Sequence, residues 1–108
     1  MSQKTVQDIV AAVMKQAAKH GFGTAPEEID VAEKIALIHS EISEAYEAYR
    51  HQNMDGKDGF KEELADAIQR ILHLCGVFSI DIEQEIVKKI ASNENRAWDW
   101  EHMNERHT

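Results

Sequence analysis

Two carboxylate pairs, Glu41 with Glu44 and Glu63 with Asp66, sit three residues apart in stretches whose patterning is helical. Residues at that spacing share one surface of an α-helix, so each pair can aim two oxygen donors at a common point. The host segments, EKIALIHSEISEAYEAYR and FKEELADAIQRILHLCGVF, are rich in apolar residues, and part of this acid stands where folding would ordinarily place Leu or Ile. At about 100° per residue, Glu41 falls among Leu37, Ile38, Ala45 and Ala48 near the middle of the apolar stripe. Glu44 lies at its edge, and His39, Ser43 and Arg50 point to the opposite side. The same arithmetic sets Glu63 beside Phe60, Ala67, Ile71 and Leu74, with Asp66 displaced toward Arg70 and His73. Antiparallel pairing of the two helices would bring all four acids together.

Isolated buried carboxylates are costly, and four in one place must take up protons or repel one another. A hard divalent cation removes that difficulty. Carboxylate oxygen suits Mg²⁺ or Mn²⁺, and Mg²⁺ retains waters and open positions that substrate phosphates can fill. The plainer arrangement is a solvated acidic face paired with Arg70 and Lys34. An acid centred on the apolar stripe in two successive helices weighs against it.

The elements that must position these acids follow from periodicity and punctuation. Val6, Ile9, Val10, Val13, Met14 and Ala17 keep an i, i+3, i+4, i+7 pattern that Gly21 is placed to stop. Thr24 before Ala25 and Pro26 reads as the N-cap of a second helix running to about Arg50. HQNMDGKDG breaks the period and forms a loop. A third helix runs from near Phe60 to about Ser79, and Asp81 with Gln84 has capping-box spacing for a fourth that carries Ile82, Ile86 and Ile90 on one stripe. The expectation is an all-α fold, an antiparallel four-helix bundle over residues 1–98 completed by oligomerisation, with a loosely held tail over 99–108.

Composition sets the outer limits. The chain has 108 residues, one domain's worth, with a single Pro, five Gly and a helix-forming bias. Twenty acidic against twelve basic side chains, a net charge of −8, disfavour a broad footprint on a nucleic-acid duplex, which needs clustered positive charge. Cys75, the one cysteine, lies in an apolar helical run and reads as a buried small hydrophobe in a reducing compartment. Lys4, Asp8 and Lys15 interrupt any signal-peptide core and no apolar stretch is long enough for a bilayer, so a soluble, cytoplasmic protein without membrane association is expected.

Taken together, SEISEA, EELADAIQRIL and KIASNENR resemble the MazG-type all-α nucleoside triphosphate pyrophosphohydrolases, over most of the chain from helix one through Arg96. In that family E-x-x-E on one helix and E-x-x-D on the next bind Mg²⁺. The resemblance implies that Glu41, Glu44, Glu63 and Asp66 are metal ligands and that Lys89, Asn93 and Arg96, matching K-x-x-x-N-x-x-R, bind substrate. It further implies hydrolysis of nucleoside triphosphates between the α and β phosphates, Mg²⁺ with Mn²⁺ as a substitute, and a homodimer or homotetramer, and leaves open whether the task is cleansing the nucleotide pool, sparing uracil incorporation or lowering a signalling nucleotide. Two positions depart from the pattern. Ser40 stands where many members carry a further acid, and Ala97 stands where many carry proline.

The fourth-helix residues also make sense without the resemblance, because a polyphosphate approaching carboxylates needs positive charge, and Arg supplies a planar fork and Lys a point charge. Water is the expected nucleophile, since no Cys-His or Ser-His pairing is evident, and Glu41 or Glu44 is the preferred carboxylate to orient or deprotonate it. No glycine-rich phosphate loop is present. His73 reads as structural, while Trp98, Tyr46, Tyr49 and Phe22 fit core or interface positions better than base stacking. Two competing classes are a non-enzymatic helical interaction or dimerisation module and a helical-bundle transition-metal-binding protein. The latter lacks an E-x-x-H or H-x-x-x-H pair beside the inward acids.

Overall fold

Four α-helices, α1 (Val6–His20), α2 (Val31–Arg50), α3 (Phe60–Val77) and α4 (Ile82–Glu94), with one 3-10 turn at Pro26–Glu28, form the regular structure of the computed structural model, which describes residues 4–96. No described residue lies in a strand, and the fold is all-α. The expected boundary at residue 98, the tail over 99–108 and Trp98 lie outside the described residues.

Local chemistry fixes the helix ends. Thr5 Oγ1 accepts the Asp8 N–H at 3.1 Å while Asp8 Oδ2 accepts the Thr5 N–H at 3.0 Å, a reciprocal box that satisfies two backbone donors at the start of α1. Gly21 ends the helix at φ 72°, a left-handed conformation that glycine adopts without a Cβ penalty. The start of α2 differs from the sequence expectation. Thr24 caps nothing there: Glu28 Oε1 turns back to accept the Thr24 N–H, the Thr24 hydroxyl and the Ala25 N–H, closing the 3-10 turn on itself. Ile29 is extended, and α2 begins only at Val31, where Asp30 accepts the Glu33 N–H at 3.3 Å.

Between α2 and α3 the chain reverses around Asn53, whose Oδ1 accepts the Gly56 N–H and whose backbone oxygen accepts the Phe60 N–H. Tyr49 meets Phe60 at this end, with ring centroids 5.7 Å apart, while Glu41 meets Arg70 farther along, so α2 and α3 run in opposite directions. Against the other side of α3 lies α1. Gln69 Nε2 donates to Gln16 Oε1, and Met14 sits so close over Gly76 that a Cβ there would run into its thioether. At the start of α4, Asp81 accepts the Gln84 N–H, and Glu83 Oε1 accepts the Val6 N–H at 2.8 Å, joining the beginnings of α4 and α1.

The buried apolar residues are small. Val10, Val13 and Ala17 of α1, Ile38, Ala45 and Ala48 of α2, and Ala67, Leu72, Cys75 and Val77 of α3 form the core. Cys75 is a free thiol whose pKa burial raises. The fourth helix contributes no buried residue: Ile86 and Ile90, on the stripe its periodicity marks as apolar, are exposed, as is Val87. No described helix is long and apolar enough to cross a membrane.

Candidate metal centre

Because α2 and α3 pack antiparallel, the acids of one helix face those of the other. Glu41, Glu44 and Glu63 each bring one carboxylate oxygen into a group whose members all lie within 4.8 Å of one another. Glu63 is buried, only 6% exposed, and its Oε2 has no hydrogen-bond partner among the described residues. Glu41 is half-buried and Glu44 is exposed. This crowding pushes the Glu63 carboxyl up to about 7 from an ordinary 4.5, first through the neighbouring Glu41 carboxylate, then through burial, then through Glu44. Three carboxylates this close together, one of them buried, form a donor set that a divalent cation would satisfy without changing any side chain.

Asp66, the fourth residue of the sequence pattern, is not in this trio. It is exposed, on the side of α3 that borders the neighbouring cleft. It lines, together with Glu41, an adjoining cleft of about 340 Å³ between α1, α2 and α3. Val13, Gln16 and Ala17 of α1 form part of the wall, and Phe22 lies where the chain leaves α1. Two cations, Lys34 of α2 and Arg70 of α3, complete the polar lining with Gln69 and His73. Arg70 Nε donates to Glu41 Oε1 at 3.1 Å. His73 Nε2 lies 2.8 Å from the Gly23 carbonyl oxygen, so the ring ties the α1–α2 connection to α3.

Lys89, Asn93 and Arg96 lie on α4 or just beyond it, Lys89 and Arg96 exposed and Asn93 half-buried, and none of them lines the cleft. Tyr46 and Tyr49 are exposed on α2. Sequence reasoning treated Lys34 and Arg70 only as neutralising partners of the acids. Their placement beside the acids has a sequence signal: Lys34 precedes Glu41 by seven residues and Arg70 follows Asp66 by four, spacings that return a helix to the same face.

No family model matches this chain, and neither curated proteins nor solved structures give a match to it.

Proposed function

We propose that this chain is a MazG-like, Mg²⁺-dependent nucleoside triphosphate pyrophosphohydrolase that cleaves between the α and β phosphates. The observation that carries the reading is the unpartnered, buried Glu63 Oε2 inside a three-carboxylate group. An orphaned buried acceptor is costly unless something cationic reaches it, and Mg²⁺, or Mn²⁺ in its place, meets that need.

In this proposal Glu41, Glu44 and Glu63 would hold the ion, with Asp66 of the adjoining cleft wall as the fourth ligand of the set. Bound Mg²⁺ would neutralise phosphate charge and favour departure of pyrophosphate. One of Glu41 and Glu44 orients or deprotonates the water that attacks the α phosphorus, giving a nucleoside monophosphate and pyrophosphate. The cleft beside the acids receives the nucleotide. Lys89, Asn93 and Arg96 take part once a second copy completes the site, because α4 gives no lining to the cleft of its own chain. A homodimer or homotetramer is supported by exposed apolar stripes: Ile35, Ile42, Tyr46 and Tyr49 on α2, Leu64, Ile68 and Ile71 on α3, and Ile86 and Ile90 on α4. On this view the antiparallel four-helix bundle is completed across the subunit interface. The activity suits a cytoplasmic role in cleansing the nucleotide pool.

The test is a screen of ribo- and deoxyribonucleoside triphosphates with Mg²⁺ and Mn²⁺, with products identified. Metal-dependent release of pyrophosphate, abolished by Glu41→Gln and by Asp66→Asn with melting curves retained, is the expected result. Near-normal turnover in either variant removes that residue from the site. Partner binding without turnover would instead favour the non-enzymatic interaction module.

A further inference from the structure

The cleft carries two cations that the metal-centred reading leaves without a task. Lys34 and Arg70 project into the same space as Glu41 and Asp66. Arg70 is held there by one contact, Nε to Glu41 Oε1 at 3.1 Å, with its side chain 41% exposed. Neither its Nη1 nor its Nη2 makes a hydrogen bond among the described residues, and Lys34 has no ion pair among them. A guanidinium anchored at Nε still offers the planar donor edge that matches phosphate oxygens.

Charge makes these cations necessary. The trio and Asp66 carry up to four negative charges, which repel a polyphosphate unless positive charge faces it at close range. We propose that Lys34 and Arg70 are the polyphosphate-recognition residues of the cleft, and that Arg70 exchanges Glu41 for a phosphate oxygen when a metal-bound polyphosphate enters. The identity of the natural ligand, a nucleoside triphosphate, rests on the pyrophosphohydrolase reading; the binding role does not. Before that exchange Arg70 is a stand-in cation for Glu41. Glu41 would hold Arg70 less firmly once its carboxylate also served a divalent ion, and the guanidinium would then be available to an anion, which would couple metal and polyphosphate binding.

The experiment uses the whole chain and two probes, Mn²⁺ alone followed by electron paramagnetic resonance and inorganic tripolyphosphate in saturating Mn²⁺ followed by calorimetry. In Arg70→Gln, Mn²⁺ alone binds about fivefold more tightly, because a competing cation is gone, while tripolyphosphate binding weakens about 30-fold with the loss of charge-assisted bonds. Arg70→Lys, which keeps the charge without the fork, falls between. Lys34→Gln weakens tripolyphosphate binding about fivefold and does not weaken Mn²⁺ binding. If Arg70 merely positions Glu41, Mn²⁺ binding weakens in Arg70→Gln, and that result overturns the proposal. So does unchanged tripolyphosphate affinity in Arg70→Gln, or a wild-type chain that does not bind tripolyphosphate. Tripolyphosphate bound through Arg70 by a protein that cleaves no nucleotide would refute the pyrophosphohydrolase reading and leave this inference standing.

Discussion

Metal binding at the acidic trio should be proton-linked through Glu63, and the size of the linkage follows from the structure. Its carboxyl, crowded by Glu41 and Glu44 and buried, titrates at about 7 in the metal-free chain instead of 4.5. A cation binds the ionised form, so apparent affinity tracks the ionised fraction. That fraction is about 3% at pH 5.5 and about three-quarters at pH 7.5, so the Mn²⁺ dissociation constant falls about 25-fold across this range. A carboxyl titrating at its ordinary 4.5 would give almost no change over the same interval. Near pH 7 each ion bound releases about half a proton, which calorimetry in buffers of different ionisation enthalpy reads directly. The stability of the metal-free chain has the opposite slope. A folded-state pKa above the unfolded value means that the native state holds the proton more tightly. The contribution is therefore full below about 4.5 and is lost as pH rises through about 7. Melting temperature without metal should decline over that window and recover on addition of Mg²⁺ above it. Glu63→Gln should bind Mn²⁺ weakly and without the slope. A flat Mn²⁺ profile in the wild type, or a slope that survives Glu63→Gln, refutes the assignment of the proton to this carboxyl.

Three further outcomes test the scaffold. Asp30→Ala removes the cap that starts α2 and should cost about 1 kcal/mol, seen in thermal melts, with Mn²⁺ affinity little changed because the trio lies more than two turns away. Ile68→Asp places a charge on an exposed apolar stripe of α3 and should lower the sedimenting mass to that of one chain; an unchanged mass removes that stripe from any interface. Ala45→Leu overpacks the α2–α3 contact, and with every acid intact Mn²⁺ binding should weaken about tenfold as the helices are wedged apart; Mn²⁺ titration of the folded variant decides it.

Most helix boundaries were legible because their causes are local. Gly21, the polar run between Arg50 and Phe60, and Asp81 each terminate or start a helix through their own backbone or side chain. The start of α2 was not, because two cap signals compete within seven residues. Thr24 with Pro26 carries the familiar pattern, yet the Glu28 carboxylate claims the donors around Thr24 and leaves the true cap to Asp30. Phase arithmetic located Glu63 inside correctly and brought it to Glu41 and Glu44, since helix period and chain reversal alone decide that meeting. It could not separate Asp66 from them, because both pairs have the same three-residue offset and which member faces across depends on how each helix is rotated about its axis. The same limit applies to α4, where the stripe of Ile86 and Ile90 was visible but what covers it depends on surfaces that one chain's periodicity does not describe.

The trio and the thin core have one origin. Each of its acids is followed four residues later, on the same helix face, by a buried alanine: Glu41 by Ala45, Glu44 by Ala48 and Glu63 by Ala67. Alanine at those positions removes the bulk that would hold α2 and α3 apart, and helices in close approach can bring three short carboxylate arms within 4.8 Å. Leucine there would bury more apolar area and stabilise an isolated chain more, but it would also spread the oxygens beyond the reach of one ion. The small side chains therefore exchange core volume for proximity of charge. What that exchange leaves exposed, the isoleucines and tyrosines on the outer faces of α2 and α3, is the apolar surface that a second copy would bury. Acidic site, alanine-lined seam and unsatisfied outer face are thus three consequences of a single choice of residue size along two helices.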